Sequence, residues 1–322
     1  MLFKSLGYSF FLYFCKEYCN DLHFVFNILY IMAIDKKDFY TLSSMRDTKD
    51  SVFAVVVVYH PDIDLLQRNV NAFIDQVDKL MIWDNSPGGG NYELEKKDKI
   101  VYKTLGENVG ISKALNYALN YATNEGYEYL LTMDQDSVWY DFNAFKSSVI
   151  KRNTEELCIC GPCAYTNVHD RPLKTGFEHF RWQITSGMLV KTELLNKIGG
   201  YNENFVVDCV DIELCLRAKS QGFDSYYCYD GFLLQKYGIP SRTLFLGKER
   251  NYTYYSPFRI RGIIGGHILL YRIYKHPALP GEIKRFTKEA LKSIIYSKRQ
   301  PICLVMGLLK GFCDGFFKKY RY

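Results

Sequence analysis

The segment VFAVVVVY at residues 52–59 constrains the fold of this chain more than any other segment. It is almost entirely apolar and rich in β-branched residues, and it is followed by His60-Pro61. A half-exposed strand alternates apolar and polar residues, whereas a strand covered by helices on both faces is apolar throughout. We therefore expect a central parallel strand within an α/β fold.

Strand and helix patterns alternate after this segment. Apolar residues recur at helical spacing over 65–77, and two short strand patterns follow at 80–83 and 100–103. A helix pattern at 111–123 then leads to an apolar strand pattern at 129–133. This β-α-β-β-α-β order predicts a Rossmann-like nucleotide-binding half, with a mixed, mainly parallel central sheet flanked by helices.

Glycine-rich phosphate-binding motifs are absent from the sequence. No G-x-G-x-x-G lies between the first strand pattern and the first helix pattern, and no Walker A pattern occurs. The absence of G-x-G-x-x-G argues against a nicotinamide-dependent dehydrogenase. A nucleotidyltransferase is also disfavoured, because His60-Pro61-Asp62 is not the glycine-rich basic loop that such an enzyme needs after its first strand.

The strand pattern at 129–133 ends in Asp134-Gln135-Asp136. Two carboxylates on one turn offer hard oxygen ligands to a divalent cation, which takes its remaining oxygens from water and from substrate phosphates. The alternative is that Asp136 or Ser137 caps a helix predicted to begin near Asp141. The motif alone does not decide between the two.

A second acidic cluster, Asp211 and Glu213, begins a helix pattern that ends near Gly222. Because acidic side chains in a first turn interact favourably with the helix dipole, capping is again the alternative to a site. The preceding strand pattern at 182–190 is interrupted by Ser186 and Gly187, which indicates close packing or the approach of a ligand. Beyond residue 262 the pattern predicts amphipathic helices, the last of them loosened by Gly307 and by glycines within 311–315.

Composition limits the class of protein. Lys and Arg exceed Asp and Glu by 41 to 35, and the surplus late in the chain suits either an anionic membrane surface or a solvated helix end. No long basic stripe is present, so we do not expect nucleic acid binding.

The ten cysteines follow no framework pattern, which predicts reduced thiols in a cytoplasmic protein, with Cys158, Cys160 and Cys163 in the core rather than on zinc.

Residues 1–50 form a predicted N-terminal extension before the first strand pattern. Its apolar stretch at 22–34 is shorter than the roughly 20 residues that span a bilayer. Because the first strand pattern begins only at residue 52, translation from Met32 or Met45 is a hypothesis, which detection of a peptide around Lys16 in the native protein would exclude. The predicted domains are this extension, a catalytic domain at 51–262 and a C-terminal helical region at 263–322.

Six sequence blocks, in this order, resemble the inverting glycosyltransferases of family 2, which have the GT-A fold, and within them the rhamnosyltransferase-like branch. The matching residues are Val58-Tyr59 with His60-Pro61, Asp84-Asn85, Asn108, Gly110, Ala114 and Asn116, Asp134 and Asp136, Thr185-Ser186-Gly187, and Gly199 to Phe205 with Asp211 to Arg217. Tyr254 to Arg259 matches a further family segment.

The resemblance implies a role for each matching position, with Asp211 as the catalytic base. It implies nucleotide-sugar binding by Tyr59, Asp84, Asn85, Asn108, Gly110, Asn116, Asp134, Gln135 and Arg259. It places Thr185, Ser186, Gly187 and Glu213 on the acceptor side, and Mg²⁺ or Mn²⁺ on Asp134 and Asp136, with Gln235 as a further candidate ligand. An ion pair at the surface is the alternative for Arg259.

The resemblance also implies partners and a location. The expected donor is dTDP-rhamnose and the expected acceptor is a polysaccharide or a lipid-linked oligosaccharide of the cell surface, at the cytoplasmic face of the membrane. Alternatives are a UDP-hexose, UDP-N-acetylhexosamine or UDP-galactofuranose donor, or a catalytically inactive nucleotide-sugar-binding protein. Whether the chain forms a homo-oligomer stays open.

Three positions depart from the family pattern. Val210 stands where many relatives carry an acid, and Gln235 stands where relatives often carry a His. Gly265-Gly266 replaces a polar pair. Gln235 in place of the His affects how tightly a metal ion is held, because a glutamine offers only its carbonyl oxygen as a ligand.

Overall fold

The computed structural model describes residues 49–90, 92–170, 173–235, 238–297 and 299–319. The predicted extension lies outside the described residues apart from positions 49 and 50, as do the alternative starts at Met32 and Met45. Residues 49–322 form one compact unit.

Four parallel strands form the N-terminal half of the central sheet, in the spatial order β3-β2-β1-β4. They are β1 Val52–Val58, β2 Lys79–Asp84, β3 Ile100–Thr104 and β4 Tyr129–Asp134. Strand β1 lies between β2 and β4, as its composition predicts. Its carboxyl end pairs Val57 with Asp134 and Val58 with Asp84, so the two aspartates flank the end of one strand.

Strand β1 is apolar throughout because each of its faces packs on a separate core. Phe53 and Val55 belong to one hydrophobic cluster, whereas Val52, Ala54 and Val56 belong to the other. The connecting helices are α1 Ile63–Asn71 and α2 Ile111–Asn124. The helix pattern at 65–77 corresponds to α1 and to a separate 3₁₀ turn at Ile74–Gln76.

The second half of the sheet is largely antiparallel and continues from β4 in the order β8-β6-β9-β5, with β7 also paired to β9. Its strands are β5 Val138–Tyr140, β6 Ile159–Tyr165, β7 Phe177–His179, β8 Met188–Lys191 and β9 Ser225–Leu234. The helices of this half are α3 Phe142–Asn153, α4 Thr192–Lys197 and α5 Val210–Ser220. The expected mixed α/β class is confirmed, although parallel pairing prevails only in the first half.

Helix α3 is capped by Asp141, whose carboxylate accepts a hydrogen bond from the Ala144 amide at 3.2 Å. The short strand β5 separates this cap from Asp136 and Ser137. The alternative that either of these two residues caps the helix is therefore wrong.

A hairpin and three helices complete the chain. They are β10 Ile239–Phe245, β11 Lys248–Tyr254, α6 Pro257–Tyr274, α7 Leu279–Tyr296 and α8 Pro301–Phe317. The sequence patterns did not predict the hairpin, and the predicted domain boundary at residue 262 falls inside α6. Among the described helices, none is both long and apolar enough to cross a bilayer.

The glycines of α8 tighten its packing rather than loosen the helix, which corrects the sequence prediction. A Cβ atom at Gly307 would lie 2.5 Å from the Pro257 carbonyl oxygen, and one at Gly315 would lie 2.6 Å from the side chain of Ile268. The small residues thus allow the backbones of α8 and α6 to approach closely.

Candidate active site

Asp134 and Asp136 lie at the carboxyl end of β4, where ligands bind in open α/β sheets. The Asp134 amide donates to Ser186 Oγ at 3.1 Å, and its carboxylate accepts a hydrogen bond from Gln235 Nε2 at 2.8 Å. Loss of solvent, together with the negative charges of Asp136 and Asp211, raises the pKa of Asp134 to about 7. The structure therefore brings the predicted metal-binding acids and the predicted base close enough to interact.

Asp211 is held by main-chain amides in the first turn of α5. Its carboxylate accepts hydrogen bonds from Ile212 N at 2.8 Å and Thr185 N at 3.3 Å. Loss of solvent raises the pKa of Asp211 to about 6, although these amides oppose the increase. Such a carboxylate is ionised at neutral pH and is a stronger base than a free aspartate.

Residues 185–187 connect the two acidic clusters. Ser186 bonds to the amide of Asp134, and Thr185 bonds to the carboxylate of Asp211. The segment is tied to β4 by Thr132, which donates to the Thr185 carbonyl at 2.5 Å and accepts from the Gly187 amide at 2.7 Å. Gly187 adopts φ +81°, and a Cβ there would lie 2.6 Å from Pro162. The interruption of this strand pattern therefore marks a connector between the acids.

The oxygens at this edge fit a divalent cation. Asp134, Asp136 and Gln235 supply carboxylate and amide oxygens, which are the ligands that Mg²⁺ and Mn²⁺ accept. Gln235 Oε1 is buried and has no hydrogen-bond partner among the described residues. Within the same residues, no cluster of three His, Cys, Asp or Glu side chains can hold a metal by itself, so a cation here needs the amide oxygen or ligands from a substrate.

Tyr59 and Gln135 join the end of β1 to the acidic turn. The Tyr59 amide donates to Gln135 Oε1 at 2.6 Å, and Gln135 Nε2 donates to the Tyr59 carbonyl at 3.2 Å. The phenol ring is 47% exposed and packs edge-on against His60. The structure thus leaves an aromatic ring at the rim of the site while its main chain is fixed.

Asp84 is buried and its carboxylate is already engaged by the protein. It accepts hydrogen bonds from Ser86 N at 2.8 Å, Gly90 N at 2.7 Å, Tyr92 OH at 3.0 Å and Tyr102 OH at 2.6 Å. Burial alone would raise the pKa of Asp84, but these donors lower it below the ordinary value. Loss of solvent and the bond to Asp84 raise the pKa of Tyr102 to about 12. A nucleotide base reaching Asp84 has to compete with these donors.

Asn85 is also buried. Its side chain accepts from Trp83 Nε1 at 2.9 Å and donates to the Gly110 carbonyl at 3.2 Å. Asn108 caps the same turn by accepting from the Gly110 amide at 3.0 Å. Gly110 adopts φ +85°, and a Cβ there would lie 2.6 Å from Val206. These predicted nucleotide-binding positions therefore shape the loop that precedes α2.

Asn116 fastens α2 to the segment that leads to Asp211. Its Oδ1 accepts from the Tyr201 amide at 2.7 Å, and its Nδ2 donates to the Tyr201 carbonyl at 2.8 Å and to Glu203 Oε1 at 3.0 Å. The side chain of Asn116 therefore joins the two halves of the fold.

Glu213 faces the core. It is fully buried and forms a two-point ion pair with Arg217, at 3.0 Å from Nε and 2.9 Å from Nη2. Tyr274 OH on α6 donates to the same carboxylate at 2.9 Å. The structure thus places Glu213 in the packing of α5 on α6, and not on the surface expected for an acceptor-side residue.

Asp208 lies next to the candidate site and was not predicted from the sequence. Its side chain is 7% exposed, and Oδ1 accepts a hydrogen bond from Arg259 Nη2 at 2.7 Å. Its Oδ2 is buried without a partner among the described residues. The charge of Arg259 opposes the increase in the pKa values of Asp134 and Asp136, so this guanidinium links Asp208 electrostatically to these two acids. The available signal was a third acid three residues before Asp211.

A cleft of about 270 Å³ adjoins Asp208. It lies between residues 204–208, α6 and the end of α8, and its walls include Val206, Phe258 and Gly262. Phe258 is 60% exposed. The cleft therefore combines an exposed aromatic ring with Asp208, a residue close in sequence to Asp211.

The sequence model of glycosyl transferase family 2 matches residues 54–201, which include the acidic turn and the connector. Residues 54–201 belong to glycosyl transferase family 2. The family match ends before Asp211, Gln235 and Arg259.

A curated relative of this chain is the dTDP-rhamnosyl transferase RfbF of Shigella flexneri, 27% identical over 203 residues. The alignment covers 53% of this chain and 64% of the relative, so the chain matches less than two thirds of that protein's length.

Solved structures show that this chain has the GT-A fold. GalNAc-T7 with UDP, GalNAc and Mn²⁺ superposes with a TM-score of 0.52 at 11% identity, over 82% of this chain and 57% of that one. Residues 1–349 of S. aureus TarS with UDP-GlcNAc superpose with a TM-score of 0.51 at 12% identity, over 82% and 81% of the two chains. The fold implied by the sequence resemblance is confirmed.

Proposed function

We propose that this chain is an inverting glycosyltransferase that moves rhamnose from dTDP-rhamnose to a polysaccharide or lipid-linked oligosaccharide acceptor in cell-surface glycan synthesis. One observation carries the proposal: residues 185–187 bond both to Asp134, on the metal-binding edge, and to Asp211, the candidate base. A donor site and a base held by one segment form a transfer site rather than a binding site alone.

The donor side consists of Asp134, Asp136 and Gln235, which would hold Mg²⁺ or Mn²⁺. A bound cation neutralises the charge that develops on the diphosphate as it leaves. Arg259 adds a fixed positive charge near the same acids. Tyr59 lies at the rim, where its ring is exposed to a nucleotide.

Asp211 removes the proton from the acceptor hydroxyl. The acceptor oxygen then bonds to the anomeric carbon as the bond from that carbon to the diphosphate breaks, and the proton remains on the Asp211 carboxyl group. Because attack comes from the side opposite the leaving group, the anomeric configuration inverts. Positioned proton transfer of this kind contributes roughly 10²- to 10⁴-fold to a rate.

The acceptor side is the cleft beside Asp208. Asp208 lines this cleft, and its Oδ2, which has no hydrogen-bond partner among the described residues, would accept a hydrogen bond from a sugar hydroxyl. The exposed ring of Phe258 offers an apolar surface to the other face of a sugar. We also propose a location at the cytoplasmic face of the cell membrane, since a lipid-linked acceptor is confined there.

The choice of rhamnose depends on the similarity to RfbF. Purified protein is tested against a panel of nucleotide sugars, with release of nucleoside diphosphate as the readout. We expect dTDP-rhamnose to be turned over fastest. If nucleoside diphosphate is released faster from a UDP-hexose, UDP-N-acetylhexosamine or UDP-galactofuranose, the proposed transfer reaction stands and that nucleotide sugar replaces dTDP-rhamnose as the donor.

An inactive nucleotide-sugar-binding protein is the second candidate, and Val210 and Gln235 are the observations that favour it. Turnover by the unaltered chain, compared with Asp211→Asn, separates the two candidates. We expect the unaltered chain to transfer the sugar and Asp211→Asn to bind donor normally but lose transfer. An inactive protein shows no turnover in either form.

A further inference from the structure

Helix α8 is apolar on two faces, and only one of them is packed against the part of the chain that the structure describes. The packed face holds Leu304, Gly307, Leu308, Gly311 and Gly315. The opposite face is apolar and open to solvent, with exposed fractions from 39% at Val305 to 81% at Phe317. Its other members are Ile302, Met306, Leu309 and Phe316. A solvent-facing helix surface is normally polar, so this face indicates a binding surface.

Neighbouring elements add to the apolar surface. Leu244 and Leu246 at the tip of the β10–β11 hairpin are 72% and 87% exposed, and Ile295 is exposed near the end of α7. The rings of Phe245 and Tyr296 lie 5.3 Å apart, which places the hairpin tip beside the last turn of α7. Helix α8 begins a few residues further along the chain.

Positive charge is concentrated in the same part of the chain. Residues 239–319 contain 16 Lys and Arg and 4 Asp and Glu, a net charge of +12, whereas the whole chain carries +6. Each of the four acids lies within salt-bridge distance of a basic side chain. These acids are Glu249, Glu282, Glu289 and Asp314. The remaining basic residues are therefore in excess around an apolar surface.

We propose that α8, the end of α7 and the hairpin tip form one docking surface for the anionic face of a lipid bilayer. A helix that combines leucine and phenylalanine on one face with lysines lies in the membrane interface, with its apolar side chains among the lipids. Lys310, Lys318 and Lys319 supply charges that attract anionic headgroups.

Lys310 argues against a second copy of the chain as the occupant. It is exposed beside Leu309, near the midpoint of α8. If two copies paired symmetrically through the centre of this face, their Lys310 side chains would meet, and the acid of α8, Asp314, is already paired with Arg261. Anionic headgroups satisfy this charge instead.

The docking surface also relates to the acceptor. Asp314 in α8 and Lys318 just beyond it line the cleft that contains Asp208. A chain bound through α8 thus holds this cleft next to the bilayer. That a lipid-linked sugar enters it rests on the proposed function, whereas membrane docking itself does not.

Flotation of the purified full-length chain with vesicles tests the surface, without any nucleotide sugar. We expect binding to vesicles of phosphatidylcholine mixed with phosphatidylglycerol, weakened by added salt, and much weaker binding to phosphatidylcholine alone. Leu309→Gln and Lys310→Gln should each reduce the partition onto mixed vesicles about fivefold, through lost apolar burial and lost charge respectively.

Leu173→Gln and Lys151→Gln are the matched controls. They make the same chemical changes at exposed positions before β7 and in α3, and should bind like the parent chain. Thermal unfolding of all four variants checks that the fold is retained.

Three outcomes overturn the inference. They are absence of vesicle binding by the parent chain, parent-like binding by both α8 variants, and dissociation of a dimer by Leu309→Gln in sedimentation without an effect on vesicle binding. Donor turnover is measured separately in detergent-free buffer, so loss of docking and loss of transferase activity are distinguishable.

Discussion

Gln235 donates a hydrogen bond from its side-chain nitrogen to Asp134 Oδ2 at 2.8 Å, while its carbonyl oxygen is buried without a partner in the described part of the chain. A buried polar atom without a partner costs roughly 1–3 kcal/mol. A cation bound beside Asp134 would remove that cost. The geometry therefore makes Gln235 a candidate ligand, although the sequence pattern marks it as a departure.

Gln235→Leu tests this relationship through metal affinity. We expect the variant to bind Mn²⁺ in the presence of dTDP about tenfold more weakly, because an oxygen ligand and a bond that orients Asp134 are both lost. Calorimetry measures the affinity independently of turnover. Gln235→His should stay within a few fold of the parent chain, since a ring nitrogen can replace the oxygen. Unchanged affinity in the Leu variant would show that Gln235 does not contact the metal.

Asp211 predicts the pH dependence of turnover. Since the pKa of Asp211 is raised to about 6, kcat/KM should fall as pH decreases through about 6, where the base becomes protonated. Asp211→Asn should lower kcat roughly 10²- to 10⁴-fold and abolish that acidic limb. A pH–rate profile of both proteins measures this, and an acidic limb that persists in the variant would assign the titration to another group.

Asp211 also predicts how stability changes with pH. Its folded-state pKa is raised above the ordinary value of 3.8, so the native state holds the proton more tightly than the unfolded state does. The group therefore destabilises the fold increasingly as pH rises from about 4 to about 6. Asp211→Asn should raise the free energy of unfolding by roughly 1–3 kcal/mol at pH 8 and change it little at pH 4. Urea unfolding at the two pH values measures the difference, and equal effects at both would contradict it.

The sequence predicts those parts of the site that follow from strand position. The composition of 52–59 encodes burial on both faces, and parallel pairing then brings Asp84 and Asp134 to the same edge. The family resemblance adds Asp211. A strand pattern cannot predict which side chains already have hydrogen-bond partners within the protein. The Asp84 carboxylate accepts hydrogen bonds from Tyr92 and Tyr102, which lie in other segments of the chain.

The C-terminal part was predicted less well for a related reason. The hairpin at 239–254 has little apolar alternation, and its strands are fixed by pairing with each other and by packing of Phe245 and Tyr252 on Tyr296. The glycines of α8 suggested a loose helix, but their function depends on a neighbouring backbone that local sequence does not reveal. Asp208 was missed because its partner, Arg259, lies 51 residues away.

Asp208 and Arg259 should affect different substrates. Arg259→Gln removes a positive charge near Asp134 and Asp136, so we expect the Kd for the donor to rise about tenfold. Asp208→Asn keeps an oxygen for Arg259 but replaces the free carboxylate oxygen, so the KM for the acceptor should rise more than the Kd for the donor. Arg285→Gln, in an exposed pair with Glu282, is the control. If both variants changed the donor Kd and the acceptor KM by the same factor, Asp208 and Arg259 would act only as a unit.

Glu213 and Arg217 should contribute to stability rather than to chemistry. Glu213→Gln leaves the Arg217 guanidinium buried without its counter-charge, and breaking such a pair typically costs about 3–5 kcal/mol. We expect that loss in urea unfolding, with the KM values for donor and acceptor unchanged in the folded fraction. The double change Glu213→Leu with Arg217→Met should cost less than the single change, because no isolated charge remains. Asp75→Asn breaks an exposed pair with Lys96 and should leave the unfolding midpoint unchanged. If Glu213→Gln instead raised the KM for the acceptor without loss of stability, Glu213 would face the acceptor after all.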